Sequence, residues 1–398
     1  MSEVTVSATR RLKPRAIGFA ALALCVIGGV TAWWMPLSTA EQLLDRGLTL
    51  ARQDPVAAER SLRRAVDSHG GHYPDAEIAI CRLLARRKAW QEAESLFETI
   101  DVAACRADLL LAFGRDTLQT KLRPKAQAAL ESVSGRGGRE TVSSLELLVA
   151  DHKEWGQREK LISAATQLTR LQPGNPRHWA TLIEHLTSFG REIESIGATR
   201  EALRRDPPPE FRRAFQGSLV QQLVNHGDAP AARRELSELR RLEAESVRMR
   251  GLEIYLLRLE GRLNDALDLA TAIVSESPDL TFAHFIRGVV CLDIGLFEEA
   301  TKELEQTIAA EPFNAPARFK LSEAYRGLGR DVPAAEQRSA ASDIVDRQKR
   351  ISALLKARED NPLDPSVYQE LEQLHRELGD VEAATMWQRW AARVTPAG

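Results

Sequence analysis

Glycine recurs at 227, 261, 295 and 329, alanine at 232, 266, 300 and 334, and proline at 278 and 312. Every step in these series is 34 residues. So strict a spacing marks a tandem array of one supersecondary unit, because a single copy cannot bury its apolar face and stacked copies can. The clearest copy is 281–314, "TFAHFIRGVVCLDIGLFEEATKELEQTIAAEPFN", in which two amphipathic stretches meet at Gly295. Each marker has a physical task. Glycine adopts the left-handed conformation that ends a helix, and alanine lets two helices approach closely. Proline withholds an amide donor and sets the direction of the chain between copies. The residues between are mostly Ala, Leu, Glu and Arg, which favour helix.

The unit resembles the tetratricopeptide repeat, a family whose members stack antiparallel helix pairs. On that resemblance Gly288 and Ala300 sit where the helices touch, and Gly295 ends the first helix. Leu304 and Ile308 enter the core and Pro312 closes the second helix. Residues 213–246, 247–280, 281–314 and 315 onward are good copies. Another lies upstream, where Trp179, Leu182, Leu186, Gly190, Ala202, Leu203 and Pro207 match. The last copy keeps Tyr368, Leu371, Gly379, Ala384, Ala391 and Pro396. Copies decay towards the N-terminus. Gly47, Ala58, Leu62 and Ala65 fit with one residue deleted, Leu84, Ala93 and Phe97 match another copy, and 107–141 end in "SGRGGR" without a clear inter-helix glycine. The resemblance implies an all-α fold: a right-handed α-solenoid of about ten helix pairs. Its repeats are degenerate over 40–209 and regular over 210–398.

Two irregularities stand out. Between Gly329 and Gly379 the chain runs one repeat plus sixteen residues, and "AAEQRSAASDIVDRQKRISALLKARED" holds neither glycine nor proline. One elongated helix over about 333–360 is expected, roughly 24 Å longer than its counterparts and projecting beyond the superhelix. Its Ile344, Ile351, Leu354 and Leu355 offer a short seam for pairing with another copy. "DPPPEF" at 206–211 reads as a semi-rigid joint between the degenerate and regular halves.

Residues 16–35, "AIGFAALALCVIGGVTAWWM", carry no charge and would make about 30 Å of helix, enough to cross a bilayer. The basic tail 1–15 places Arg10, Arg11, Lys13 and Arg15 before it, and Trp33 and Trp34 fall at the far interface. A transmembrane anchor or uncleaved signal is the expectation. Ser38 and Ala40 offer a cleavage site, but the apolar run exceeds the roughly 7–15 residues of a cleavable signal. Leu24 before Cys25 disfavours a lipoprotein, and "TRRLKPR" is a poor twin-arginine match. The implied topology is single-pass in a bacterial inner membrane, with the N-terminus cytoplasmic and the repeats periplasmic.

Lys and Arg number 54 against 56 Asp and Glu, so no basic face points to nucleic acid. Arg233, Arg234, Arg240 and Arg241 alternate with Glu235, Glu238 and Glu243 as on a solvated helix. No catalytic, cofactor or metal motif appears. His69 and His72 with Cys81 are too few ligands for a metal and read as an inter-helix turn. Cys81 and Cys105 are placed on successive first helices, where export would permit a bridge, and Cys291 is placed in a core.

In this family the first helices line the concave face, where peptides or partner helices lie. The outward residues there are Arg248, Tyr255 and Arg258, then Phe282, Phe285 and Val289, then Phe319, Glu323 and Arg326. Phe282, Phe285 and Phe319 flanked by arginines have the make-up of a binding hot spot; packing between units is the competing use of the same rings. The family's carboxylate clamp of Lys, Arg and Asn is absent, its places held by Phe, Val, Tyr and Leu. The expected function is a non-enzymatic, membrane-tethered scaffold or adaptor for a protein or peptide partner on the extracytoplasmic side. A preformed surface costs little ordering on association, and tethering raises local concentration. The alternatives are a regulatory or assembly subunit of an envelope enzyme complex, and a self-associating structural protein.

Overall fold

The computed structural model describes residues 39–242, 246–361 and 364–394. Among them all regular structure is helical, in twenty helices paired as ten consecutive hairpins. The chain divides into two compact units between Gly135 and Arg136. The apolar segment 16–35 and the basic tail 1–15 lie outside the described residues. Among the described residues no helix is long and apolar enough to cross a membrane.

The first unit holds α1 (Ala40–Leu50), α2 (Pro55–Ser68), α3 (Pro74–Arg86), α4 (Trp90–Thr99), α5 (Ala107–Thr117) and α6 (Arg123–Ser134). Its core gathers Leu44, Leu62, Ile78, Leu84 and Phe113, with the rings of Phe97 and Phe113 stacked at 5.3 Å. Cys81 and Cys105 are buried thiols. Cys105 lies in the turn before α5, not on a helix as expected, and its Sγ donates to the Pro74 carbonyl at 3.5 Å. Burial, helped by Glu77, pushes the Cys81 thiol up to about 12, so it stays protonated and unreactive. His69 and His72 sit in the α2–α3 turn, joined by the His69 Nδ1 contact to the His72 carbonyl at 2.6 Å.

The second unit holds the other fourteen helices. They are α7 (Arg139–Glu154), α8 (Arg158–Leu171), α9 (Pro176–Ser188), α10 (Glu192–Arg204), α11 (Pro209–Asn225), α12 (Ala229–Leu242) and α13 (Val247–Leu259). There follow α14 (Leu263–Glu276), α15 (Thr281–Ile294), α16 (Phe297–Ala310), α17 (Ala315–Gly327), α18 (Asp331–Asp360), α19 (Pro365–Glu377) and α20 (Val381–Val394). Each of its seven hairpins turns on one glycine in the left-handed region: 156, 190, 227, 261, 295, 329 and 379, with φ between +69° and +88°. At the α15 end the Leu296 amide donates to the Cys291 carbonyl at 2.9 Å, and the Gly295 amide to Leu292. Two carbonyls that the helix cannot satisfy are thereby paired. Between α3 and α4 the same conformation falls on Lys88, at φ +64°, where a side chain strains the backbone.

The boundary between the two compact units falls within "SGRGGR", and the triple proline lies inside the second unit. Pro207 is buried, and α11 packs directly on α10. Gln222 crosses that joint to Ser195 and Thr199. The long helix is α18, 30 residues, and its apolar seam does not project. Ile344, Ile351 and Leu354 are buried and Leu355 is half-buried, packed within the same unit. A seam already covered in its own chain is not free for coiled-coil pairing. Of the terminal residues, Gln388, Arg389 and Arg393 are exposed, while Trp387 is buried.

Candidate binding groove

A groove of about 1060 Å³ runs across α9, α11, α13 and the start of α15, the first helices of four successive hairpins. The lining residues fall on one stripe of each helix. On α9 they are Ala180, Ile183, Glu184, Thr187 and Ser188; on α11, Ala214, Phe215, Ser218, Gln221, Gln222 and Asn225. On α13 they are Val247, Arg248, Gly251, Leu252 and Tyr255, and the edge is closed by Ser277, Leu280 and Phe282. Spacings of three, four and seven residues place them on the same helix face. Between helices they keep the repeat: Ala180, Ala214, Arg248 and Phe282 form one column, and Thr187, Gln221 and Tyr255 another.

Two mid-helix glycines shape this surface. A Cβ on Gly251 would stand 2.8 Å from Cζ of Phe282, and one on Gly217 would stand 2.9 Å from Nη2 of Arg248. Each glycine therefore receives a side chain from the next repeat, and the two large residues lie down along the groove. Polar atoms under the floor are mutually satisfied. Gln222 Nε2 donates to Ser195 Oγ at 2.8 Å and Thr199 Oγ1 donates to Gln222 Oε1 at 3.1 Å. The hydroxyls of Thr187 and Ser195 are 2.7 Å apart. A satisfied buried network of this kind fixes the relative position of α9, α10 and α11. Among the described residues the exposed guanidinium of Arg248 makes no ion pair, whereas Glu184 pairs with Lys153 at 3.3 Å. At the far end burial raises the Tyr255 pKa against the opposing effect of Arg258, so its hydroxyl remains a neutral donor.

The sequence-derived residues divide three ways. Arg248, Tyr255 and Phe282, the last 36% exposed, line the groove. Arg258 lies beyond its end, paired with Asp293 at 2.6 Å, its Cζ 5.9 Å from the Tyr255 ring centroid. Phe285 packs against the core cluster that contains Cys291, Leu304 and Leu321, and Phe319 against the cluster of Ala315, Ala341 and Ile344. The three phenylalanines therefore do not form one exposed centre; two of them pack half-buried against core clusters. Val289 is 4% exposed and belongs to the interior, because the helix turns that position towards its neighbour. Glu323 pairs with Lys320 at 2.8 Å, and Arg326 is exposed, both outside the groove. The α9 and α11 contributions were not singled out from the sequence, although the 34-residue columns running back from Arg248 and Phe282 lead to them.

The Ser277–Leu280 edge is held by His284. One ring nitrogen meets the Pro278 carbonyl at 2.6 Å and the other the Glu303 carboxylate at 2.5 Å. Glu303 is also paired with Arg287. Both His284 partners are acceptors, so the geometry suits the doubly protonated ring. Burial alone would depress the His284 pKa, but the bonds to Glu303 and Pro278 outweigh it and the pKa is raised. The contribution to stability is fully present below about pH 6.5, the unfolded value, and is lost as pH rises through the folded value. Denaturation of the chain over a pH series is expected to show this loss, and His284→Gln to remove it. An unchanged slope in that variant would refute the assignment.

The family described as "Tetratricopeptide repeat" matches residues 218–280, from α11 to the turn before α15. No curated protein matches the chain. Among solved structures, a tetratricopeptide repeat protein from Parabacteroides merdae ATCC 43184 superimposes with a TM-score of 0.52 at 14% identity. The match covers 63% of this chain and 97% of that one. A structure of Naa15/Naa10 bound to HypK-THB gives a TM-score of 0.52 at 12% identity, covering 90% of this chain and 64% of the other. At these identities the likeness is one of fold. The fold is that of the tetratricopeptide-repeat proteins, and the repeats that the family model matches are those that build the groove's α11 and α13.

Proposed function

We propose that the chain is a membrane-tethered scaffold that holds an apolar segment of a protein partner in the α9–α15 groove, on the extracytoplasmic side of a bacterial inner membrane. The observation that carries the reading is the continuity of the groove. Four successive first helices contribute one preformed surface with an apolar floor, a hydroxyl- and amide-bearing rim and the unpaired guanidinium of Arg248. Pockets of this make-up are the usual sites of partner anchoring. The tether rests on the charge-free run 16–35 and the basic residues before it. No catalytic role is assigned. Among the described residues no group of three or more His, Cys, Asp or Glu is placed to hold a metal.

The test is a photo-crosslinking residue at Gln221 in the full-length chain, irradiated in intact cells. Glu238, exposed on the second helix α12, is the control position. A discrete adduct is expected from Gln221 and not from Glu238. It should be recovered with the membranes, and in the soluble fraction once residues 1–35 are deleted. Equal labelling from both positions, or none from Gln221, would overturn the groove. An adduct that stays soluble in the full-length chain would overturn the tether.

A further inference from the structure

Helix packs on helix in sequence order through the second unit, and one contact leaps across it. Trp155, the residue that ends α7, is buried in the core of the C-terminal module among Ile351, Leu354, Tyr368, Leu371 and Trp387. Arg358, 2% exposed near the end of α18, lies between two indoles. Its Cζ is 5.0 Å from the ring centroid of Trp155 and 5.0 Å from that of Trp387. Arg358 Nη2 donates to the Glu154 carbonyl at 2.6 Å, and Trp390 meets the Trp155 ring edge-on at 5.2 Å. The glycine after Trp155 brings the turn against α18: a Cβ on Gly156 would be 3.7 Å from that of Leu355.

The residue types suit the task. Indole presents the best ring face for a cation. A guanidinium stacks on two such faces while its in-plane N–H groups remain available. The carbonyl it reaches belongs to the last residue of α7, at the negative end of the helix dipole, where a cation is favoured. The joint is also small. Beside it lies a cavity of about 310 Å³ lined by Gly156, Lys160, Ser352, Leu355 and Lys356, so the two surfaces are not packed together elsewhere along that side.

We propose that Trp155 and Arg358 form a latch that closes the second unit on itself. It joins the α7–α8 turn to the α18–α20 module and opens without melting either. Closure ties together the ends of the run of helices that includes the groove, and so sets the curvature of that run. This inference stands independently of what the groove binds.

Lys160 and Ser352 are exposed on opposite walls of the small cavity. In the full-length chain carrying Cys25→Ser, spin labels at Lys160→Cys and Ser352→Cys report the joint by pulsed dipolar distance measurement, the remaining native cysteines being buried. A single short distance is expected in this background and with Trp155→Phe. Trp155→Ala and Arg358→Gln are each expected to give a longer, broader distribution with helicity unchanged by circular dichroism. If Trp155→Ala loses helicity, Arg358→Gln decides. A short distance that persists in Arg358→Gln overturns the latch, and so does the absence of a short distance in the labelled parent.

Discussion

Gly288→Ala is expected to leave the chain about 1–3 kcal/mol less stable than Gly251→Ala, although both place the same methyl group in the middle of a first helix. The backbone term is common to the two: replacing a mid-helix glycine by alanine gains about 1 kcal/mol of helix propensity. The surroundings differ. A Cβ on Gly288 would stand 2.8 Å from Leu304 Cγ and 3.3 Å from Glu303 Cβ. Leu304 is fully buried and cannot withdraw, so the methyl overpacks the contact between α15 and α16, at a cost of about 1–3 kcal/mol. At Gly251 the clash is with the tip of Phe282, a ring at the groove edge with solvent beside it. It swings aside, and Gly251→Ala should be neutral or up to about 1 kcal/mol stabilising. Denaturant unfolding of both variants measures the difference. Leu304→Ala should cost about 2–5 kcal/mol alone. Combined with Gly288→Ala it should cost less than the sum, because one change fills space that the other vacates. Equal stabilities for the two glycine variants would show that the close contact is not where the structure puts it.

The second large effect is on binding. Ser218 stands mid-groove on α11, half-buried, between the α9 and α13 walls. An indole there occupies the space that a partner's anchor would need. Ser218→Trp is therefore expected to weaken partner capture by at least about 30-fold, the scale of losing a hot-spot residue worth about 2 kcal/mol. Stability should stay within about 0.5 kcal/mol, as for other surface changes. The readout is the Gln221 adduct, titrated against expression level. Undiminished capture by a correctly folded Ser218→Trp chain would move the binding surface away from this groove.

The repeat was legible wherever it rests on backbone chemistry. A left-handed turn nearly demands glycine, so Gly227, Gly261, Gly295 and Gly329 announce their hairpins at steps of 34 residues, and Gly190 and Gly379 mark theirs outside that strict spacing. Gly156 does the same, yet it lies in a stretch whose other markers are weak, and it was not picked out. Where the turn falls on Lys88 the signal disappears, although the hairpin α3–α4 forms regardless. There, burial of Ile78, Leu84, Ala93 and Phe97 carries the fold through an unfavourable backbone position. The absence of glycine and proline after Ala334 likewise foretold a long helix, but not that its far end is buried.

The candidate site was legible only in part. Arg248, Tyr255 and Phe282 were identified as outward residues, but so were Phe285 and Phe319, half-buried against core clusters, and Val289, which is interior. Helical periodicity says which residues share a stripe. It does not say whether solvent or a neighbouring helix faces that stripe, and a rotation of one residue exchanges the two. Gly217 and Gly251 look like weak points in helices until the side chains that lie over them are seen.

By itself, then, the sequence determined the unit, its length and its hairpin ends, because these depend on conformations and contacts within some 34 residues. Which outward side chains join into one groove, and that Trp155 meets Arg358 some two hundred residues later, was decided only by the tertiary structure. Each repeat turns slightly on the last. The position of a distant residue is the accumulated sum of those turns, a quantity that no single stretch of the chain contains.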